Sequence, residues 1–321
     1  MLHRSRPAPL LAMLLAIFCA VIASSTASAA DESPKTIRLL TIGNSFADNA
    51  AHYMSDVAAA AGYKLVLYRA NIGGCSMERH WKHVQAHEAN PADPAGVPFT
   101  NPQTGKKEFG LKEALQSAPW DYVTIQQYSA LSDKIDTYRP YASELCDYIK
   151  KYAPTAEVLV YETWAYRSDD PKFKSGNSAE DMYRIISTNY RTIASELHLR
   201  VIPVGDAFHL ASITPGYQFT PDALFDFKAA VPPALPDQTH SLNVGWTWRK
   251  DPKTNGEKLQ FDGHHANQAG EYLASLVFVE RLTGVSSIGN TFVPAGLPAE
   301  DATLLQQFAH KAVQGILAEQ K

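Results

Sequence analysis

The chain has 321 residues, 29 Lys and Arg against 33 Asp and Glu, a formal net charge of −4 and 45% hydrophobic residues. A mixed, slightly acidic charge with no basic block lacks the electrostatic footprint of a nucleic-acid binder, and the apolar content is that of a chain that buries a core. Three cysteines are too few for a disulfide framework, so the fold does not depend on covalent staples.

At the amino terminus, His3, Arg4 and Arg6 precede an apolar run over residues 10–23 and then Ala27-Ser28-Ala29. Basic, apolar and small-residue regions in that order predict a secretory signal peptide over residues 1–30, because the apolar run is shorter than the roughly 20 residues that cross a bilayer. The expected mature chain, residues 31–321, is one secreted or periplasmic domain. No later apolar stretch predicts a membrane span, and Cys75 and Cys146 are left free to pair or stay apart. The sequence does not set an oligomeric state.

Downstream, apolar and β-branched runs at residues 37–42, 65–68, 122–125, 158–161 and 201–204 are separated by helical patterns. Strands that alternate with helices predict parallel βαβ units in a doubly wound α/β sheet of about five strands. Pro203 cannot donate a ladder hydrogen bond, so the last run is expected at an edge. Residues 49–61 predict one helix ended by Gly62, and Ser178 opens another that carries Met182, Ile185, Ile186, Tyr190 and Ile193 at helical spacing. A helix capped by Asn267 and closed by Gly284 follows near the end.

Two irregular stretches, 90–110 and 214–261, are long enough to be functional or to carry small elements of their own. The second predicts a hairpin with Asn255-Gly256 at its turn, leading straight into Asp262-Gly263-His264-His265. That Asp-x-x-His is expected in the loop entering the helix capped by Asn267.

In an open parallel sheet, ligands bind beyond the carboxyl ends of the strands. Ser45 follows the first run, Gly73-Gly74-Cys75-Ser76 the second, Gln126-Gln127 the third and Trp164 the fourth. A serine hydroxyl, an imidazole and a carboxylate to orient it are the inventory of acyl transfer, and three-residue spacing can bring Asp262 to the Nδ1 of His265 while Nε2 stays free for Ser45. His264 is the competing base. Gly74, without a Cβ, lets its backbone N–H approach a developing oxyanion closely.

His80, His83 and His87 share one helical face, but no His-Glu-x-x-His pattern accompanies them, so an exposed face and no metal are expected. His80, Trp164, Tyr166 and Trp246 are candidates for the wall of a substrate pocket.

Gly43-Asn44-Ser45-Phe46, Gly73-Gly74-Cys75-Ser76 and Asp262 with His265 resemble, in order, the first, second and fifth blocks of the SGNH hydrolases, also called GDSL-type esterases and lipases. The resemblance implies a flavodoxin-like three-layer α/β/α sandwich and cofactor-free ester hydrolysis, with Ser45, His265 and Asp262 as the triad and Ser45 and Gly74 as oxyanion donors. The family's Gly-x-Asn-Asp block is absent. Gln126 or Gln127 stands there, and either amide is chemically able to donate the third hydrogen bond. The expected activity is hydrolysis of small-molecule or carbohydrate esters, acetyl esters first. A non-catalytic periplasmic glycan-binding protein, or an acyltransferase with the same residues, are the alternatives.

Overall fold

The computed structural model describes residues 1–3, 34–254 and 256–320; the proposed leader and the turn residue Asn255 lie outside the described residues. From Pro34 onward the chain forms one unit. Its elements run β1 Lys35–Gly43, α1 Ser45–Ala51, α2 Met54–Ala60, β2 Tyr63–Asn71, α3 Met77–Ala89, the short strands β3 Phe99–Thr100 and β4 Lys107–Phe109, α4 Leu111–Gln116, β5 Tyr122–Ile125, α5 Tyr141–Tyr152 and β6 Glu157–Glu162. They continue as α6 Ala179–Leu197, β7 Arg200–Pro203, α7 Val204–Ile213, the hairpin strands β8 Asn243–Lys250 and β9 Glu257–Ala266, α8 Gln268–Thr283 and α9 Ala299–Glu319.

Five strands pair in the order β2-β1-β5-β6-β7, and every pairing is parallel. This is the flavodoxin-like order of a doubly wound sheet. Side chains of the strands serve two cores, one on each face of the sheet. Ile37, Leu39, Leu159, Tyr161 and Ile202 pack on the face covered by α1, α2, α7, α8 and α9, whereas Leu40, Ile42, Val123, Val158 and Val160 pack toward α3 to α6. Both faces are therefore dry, which is why these strands read as continuous apolar runs. Pro203 ends β7, an edge strand bonded only to β6.

Residues 49–61 do not form one helix. They belong to α1 and α2, and the break comes from a distant residue: the Ser275 hydroxyl of α8 donates to the Ala50 carbonyl at 2.8 Å and accepts the Tyr53 N–H at 3.2 Å. A side chain inserted into the helical ladder interrupts it. Gly62 and Gly284 adopt positive φ at the ends of their helices, and Asn267 caps α8 by accepting the Gly270 N–H. Cys75 and Cys146 are separate, buried thiols.

Candidate active site

The turn that leaves β1 sets the site. Gly43 is glycine for a steric reason, since a Cβ there would sit 2.5 Å from Gln126 Oε1 and 3.0 Å from Ala47 Cβ. Asn44 is extended and caps α1, its side-chain oxygen accepting the Phe46 N–H at 3.1 Å, which leaves Ser45 as the first helical residue and half-buried. Asn44 Nδ2 also donates to the Cys75 carbonyl at 3.1 Å, tying the Gly73-Gly74 loop to the serine turn. Among the described residues, neither the Ser45 nor the Gly74 backbone N–H has an intramolecular acceptor. Gly74 takes φ +61, the left-handed region that a side chain would strain.

Asp262 and His265 lie on β9 and not in a loop. Gly245 pairs with Asp262 and Asn243 with Ala266, so Val244 alone faces Gly263, His264 and His265. Such a bulge bends the strand and re-aims its side chains. Here His265 Nδ1 donates to Asp262 Oδ2 at 2.9 Å and Ser45 Oγ lies 2.8 Å from His265 Nε2. Asp262 Oδ1 accepts the His265 N–H at 3.0 Å and, more loosely, that of His264 at 3.3 Å. Burial works to raise the Asp262 carboxyl, but the hydrogen bonds from the His265 ring and backbone prevail and hold it well below the usual carboxylate range.

The bulged end of β9 is fastened from several sides. Trp164 Nε1 donates to the His264 carbonyl at 2.8 Å, the Arg167 N–H to the Gly263 carbonyl at 2.8 Å, and the Ala266 N–H to Asn49 Oδ1 at 3.2 Å. Asn44 and Asn49 are the positioning residues that spacing arguments passed over. Asn44 carried a signal, a capping residue directly before the serine; Asn49 carried none.

Other predicted site residues are elsewhere. The Gln126 amide donates to Asn44 Oδ1 at 3.0 Å, and that of Gln127 to the Thr137 carbonyl at 2.8 Å, so both amides are turned to internal partners. Trp164 is fully buried, stacked between Phe46 at 4.4 Å and Phe208 at 4.5 Å, and is no pocket wall. His80 is buried beneath the serine turn, its Nε2 donating to the Gly43 carbonyl at 2.8 Å, and burial pushes its imidazole down to about 4. His87 is buried as well, so the histidine face of α3 packs inward and is not the exposed face expected. Trp246 of the hairpin packs on Phe261 of the facing strand and on Phe227 from the stretch before β8. The Tyr166 ring lies 5.4 Å from that of His264, the residue before His265.

Asp262, His264 and His265 present ligand atoms within 4.8 Å of one another. Both His265 nitrogens are already engaged, so a cation there would have to displace Ser45 or Asp262 from the ring. The Cys75 thiol is pushed up to about 12 by burial and is no rival nucleophile. A cavity of about 550 Å³ between α6, α7 and the loop after β6 contains none of Ser45, Asp262 and His265.

Residues 38–216, more than half of the chain, match the profile of a domain of unknown function, DUF4886. The chain belongs to the DUF4886 family. The matched span includes Ser45, Gly74 and both glutamines, whereas Asp262 and His265 lie beyond it. A DUF4886 family protein from Bacteroides uniformis is 24% identical with a TM-score of 0.64, over 87% of this chain and 95% of that one, and shares the fold. A candidate SGNH hydrolase from Slackia heliotrinireducens is 21% identical with a TM-score of 0.45, over 77% and 98% of the two chains. A lipase/acylhydrolase from Enterococcus faecalis is 14% identical with a TM-score of 0.44, over 77% and 96%. No curated protein matches the sequence. Among the described residues, no helix is long and apolar enough to cross a membrane.

Because Trp164 both fills the core and holds the His264 carbonyl, Trp164→Ala is expected to lower unfolding free energy by about 3–5 kcal/mol. A urea titration checks this, and a loss below about 1 kcal/mol would remove the stack from the account.

Proposed function

We propose that the chain is a serine esterase of the SGNH type, acting on carboxylic esters and, as substrate class, on acetyl esters of carbohydrates. The observation that carries the reading is the hydrogen-bonded run from Ser45 through His265 to Asp262 at the carboxyl edge of the sheet. Among the described residues, the backbone N–H groups of Ser45 and Gly74 have no acceptor and are free to donate to a ligand oxygen.

In the first step Ser45 Oγ bonds to the ester carbonyl carbon as its proton passes to His265 Nε2, and the carbonyl π pair becomes an oxyanion. Collapse breaks the bond to the alcohol, which leaves with that proton. Water then attacks acyl-Ser45 in the same manner, with Nε2 again taking and returning the proton, and the carboxylic acid is released. Asp262 holds the tautomer with Nδ1–H and stabilises the imidazolium each time it forms. Donors aimed at the oxyanion are typically worth about 10²–10³ in rate each.

Support for a sugar comes from the rim. Tyr128 lies against Gly74, Tyr166 lies beside His264, and the Tyr166 hydroxyl pairs with Ser129 Oγ at 3.1 Å. Aromatic faces with hydroxyl edges suit the apolar face of a pyranose. The basic, apolar and small-residue order of residues 1–30 supports action in the periplasm or outside the cell.

The test is an ester panel of nitrophenyl acetate, butyrate and decanoate beside acetylated sugars. Acetates are expected to be the best substrates, with kcat/KM falling as the acyl chain lengthens. A fluorophosphonate probe should label Ser45 covalently. A protein that is not labelled and does not hydrolyse any ester would be the glycan-binding alternative.

A further inference from the structure

We propose that the Tyr128 hydroxyl, and not a glutamine amide, is the third donor to the oxyanion. This rests on the reading of Ser45 as acyl acceptor. With the Gln126 and Gln127 amides committed to Asn44 and Thr137, the third strand end needs another donor if it is to contribute one.

Tyr128 is the next residue along, and it is held firmly. Its N–H donates to Gln127 Oε1 at 2.8 Å and its carbonyl accepts the Leu131 N–H at 2.8 Å. The same Gln127 Oε1 accepts the Met77 N–H at 3.1 Å, at the start of the helix that follows the Gly73-Gly74 loop. Gln127 thus clamps Tyr128 to the glycine loop. A methyl group on Gly74 would lie 3.8 Å from Tyr128 Cε2 and 4.0 Å from Cζ, so the hydroxyl-bearing end of the ring is the part that meets Gly74.

That hydroxyl has no hydrogen-bond partner among the described residues. The tyrosines around it differ: the hydroxyls of Tyr138, Tyr166 and Tyr190 are each bonded within the protein. A half-buried phenol on a fixed backbone, with no partner among the described residues and set against the loop whose N–H faces no acceptor, is a donor waiting for a ligand oxygen. The phenol donates a hydrogen bond that strengthens as the carbonyl oxygen gains charge. The glutamines then build the site without entering it.

The experiment compares the wild type, Tyr128→Phe and Ser45→Ala in reaction with a nitrophenyl alkylphosphonate, which releases one nitrophenol for each serine phosphonylated. Phenylalanine keeps the ring and its packing, and near-UV circular dichroism checks that the fold is unchanged. Tyr128→Phe is expected to be phosphonylated about 10²-fold more slowly than wild type. Its kcat for nitrophenyl acetate should fall by a similar factor with KM unchanged, as for an interaction made in the transition state. A crystal structure of the wild-type adduct should place the phosphoryl oxygen within hydrogen-bonding distance of the Tyr128 hydroxyl. Wild-type rates in Tyr128→Phe overturn this proposal alone and leave Ser45 in its role. A wild type as unreactive as Ser45→Ala overturns both.

Discussion

Ser45→Ala is expected to lower kcat for nitrophenyl acetate by on the order of 10⁴–10⁶-fold, with the melting temperature nearly unchanged. The size follows from the covalent role: without Oγ no acyl-enzyme forms, and only the oxyanion donors and substrate binding remain. The intact fold follows from the local structure. Asn44, not Ser45, caps α1, so the cap survives, and alanine is the better helix former. Among the described residues, Ser45 Oγ has His265 Nε2 as its one partner, and that ring keeps its bond to Asp262. A steady-state assay beside a thermal melt checks both halves. Retention of more than about 1% of wild-type kcat would remove Ser45 as nucleophile.

Why Ser45 was legible and much of its surroundings was not comes down to range. The inner strands are covered on both faces, so their buried middles, Leu39, Leu40 and Ile42 in β1 and Val158, Leu159, Val160 and Tyr161 in β6, are mostly apolar and stand out. β2 extends on both sides of residues 65–68 because an edge strand tolerates Lys64 and Arg69. Caps such as Asn267 and stops such as Gly284 act over one turn and are readable as local chemistry.

What escaped depends on residues far apart in sequence. The break between α1 and α2 requires Ser275. The bulge that delivers His265 requires the register of β8 against β9, which no pattern within the Asp-x-x-His can state. The glutamines were correctly placed at the strand end, yet the direction of an amide depends on what it meets: Asn44 turns one inward and Thr137 the other. Trp164 likewise follows a strand end, but Phe46 and Phe208 close over it from two helices. Position along the sheet was legible; orientation was not.

Asp262→Asn tests whether that orientation matters to the chemistry, and it is expected to cost about 10⁴-fold in kcat. In the native protein Oδ1 accepts backbone N–H groups of His264 and His265, and Oδ2 accepts the proton on His265 Nδ1. An asparagine would keep its carbonyl oxygen on the backbone donors and present its NH₂ to Nδ1. Nδ1 would then have to accept, the ring proton would move to Nε2, and Ser45 would face a donor unable to take its proton. The variant should fold normally, since the amide satisfies the same atoms. The wild-type pH profile separates this from a general loss of charge. Because the Asp262 carboxyl is held below its ordinary range, it stays ionised through the usual carboxylate range as pH falls, and the Asp262–His265 pair persists there. By linkage, the stability contributed by a lowered carboxyl is fully present above its unfolded value of about 3.9 and is lost only as pH falls through the folded value. Inactivation on acidification should therefore be reversible and precede unfolding. An Asp262→Asn variant within tenfold of wild type would show that His265 needs no carboxylate to hold its tautomer.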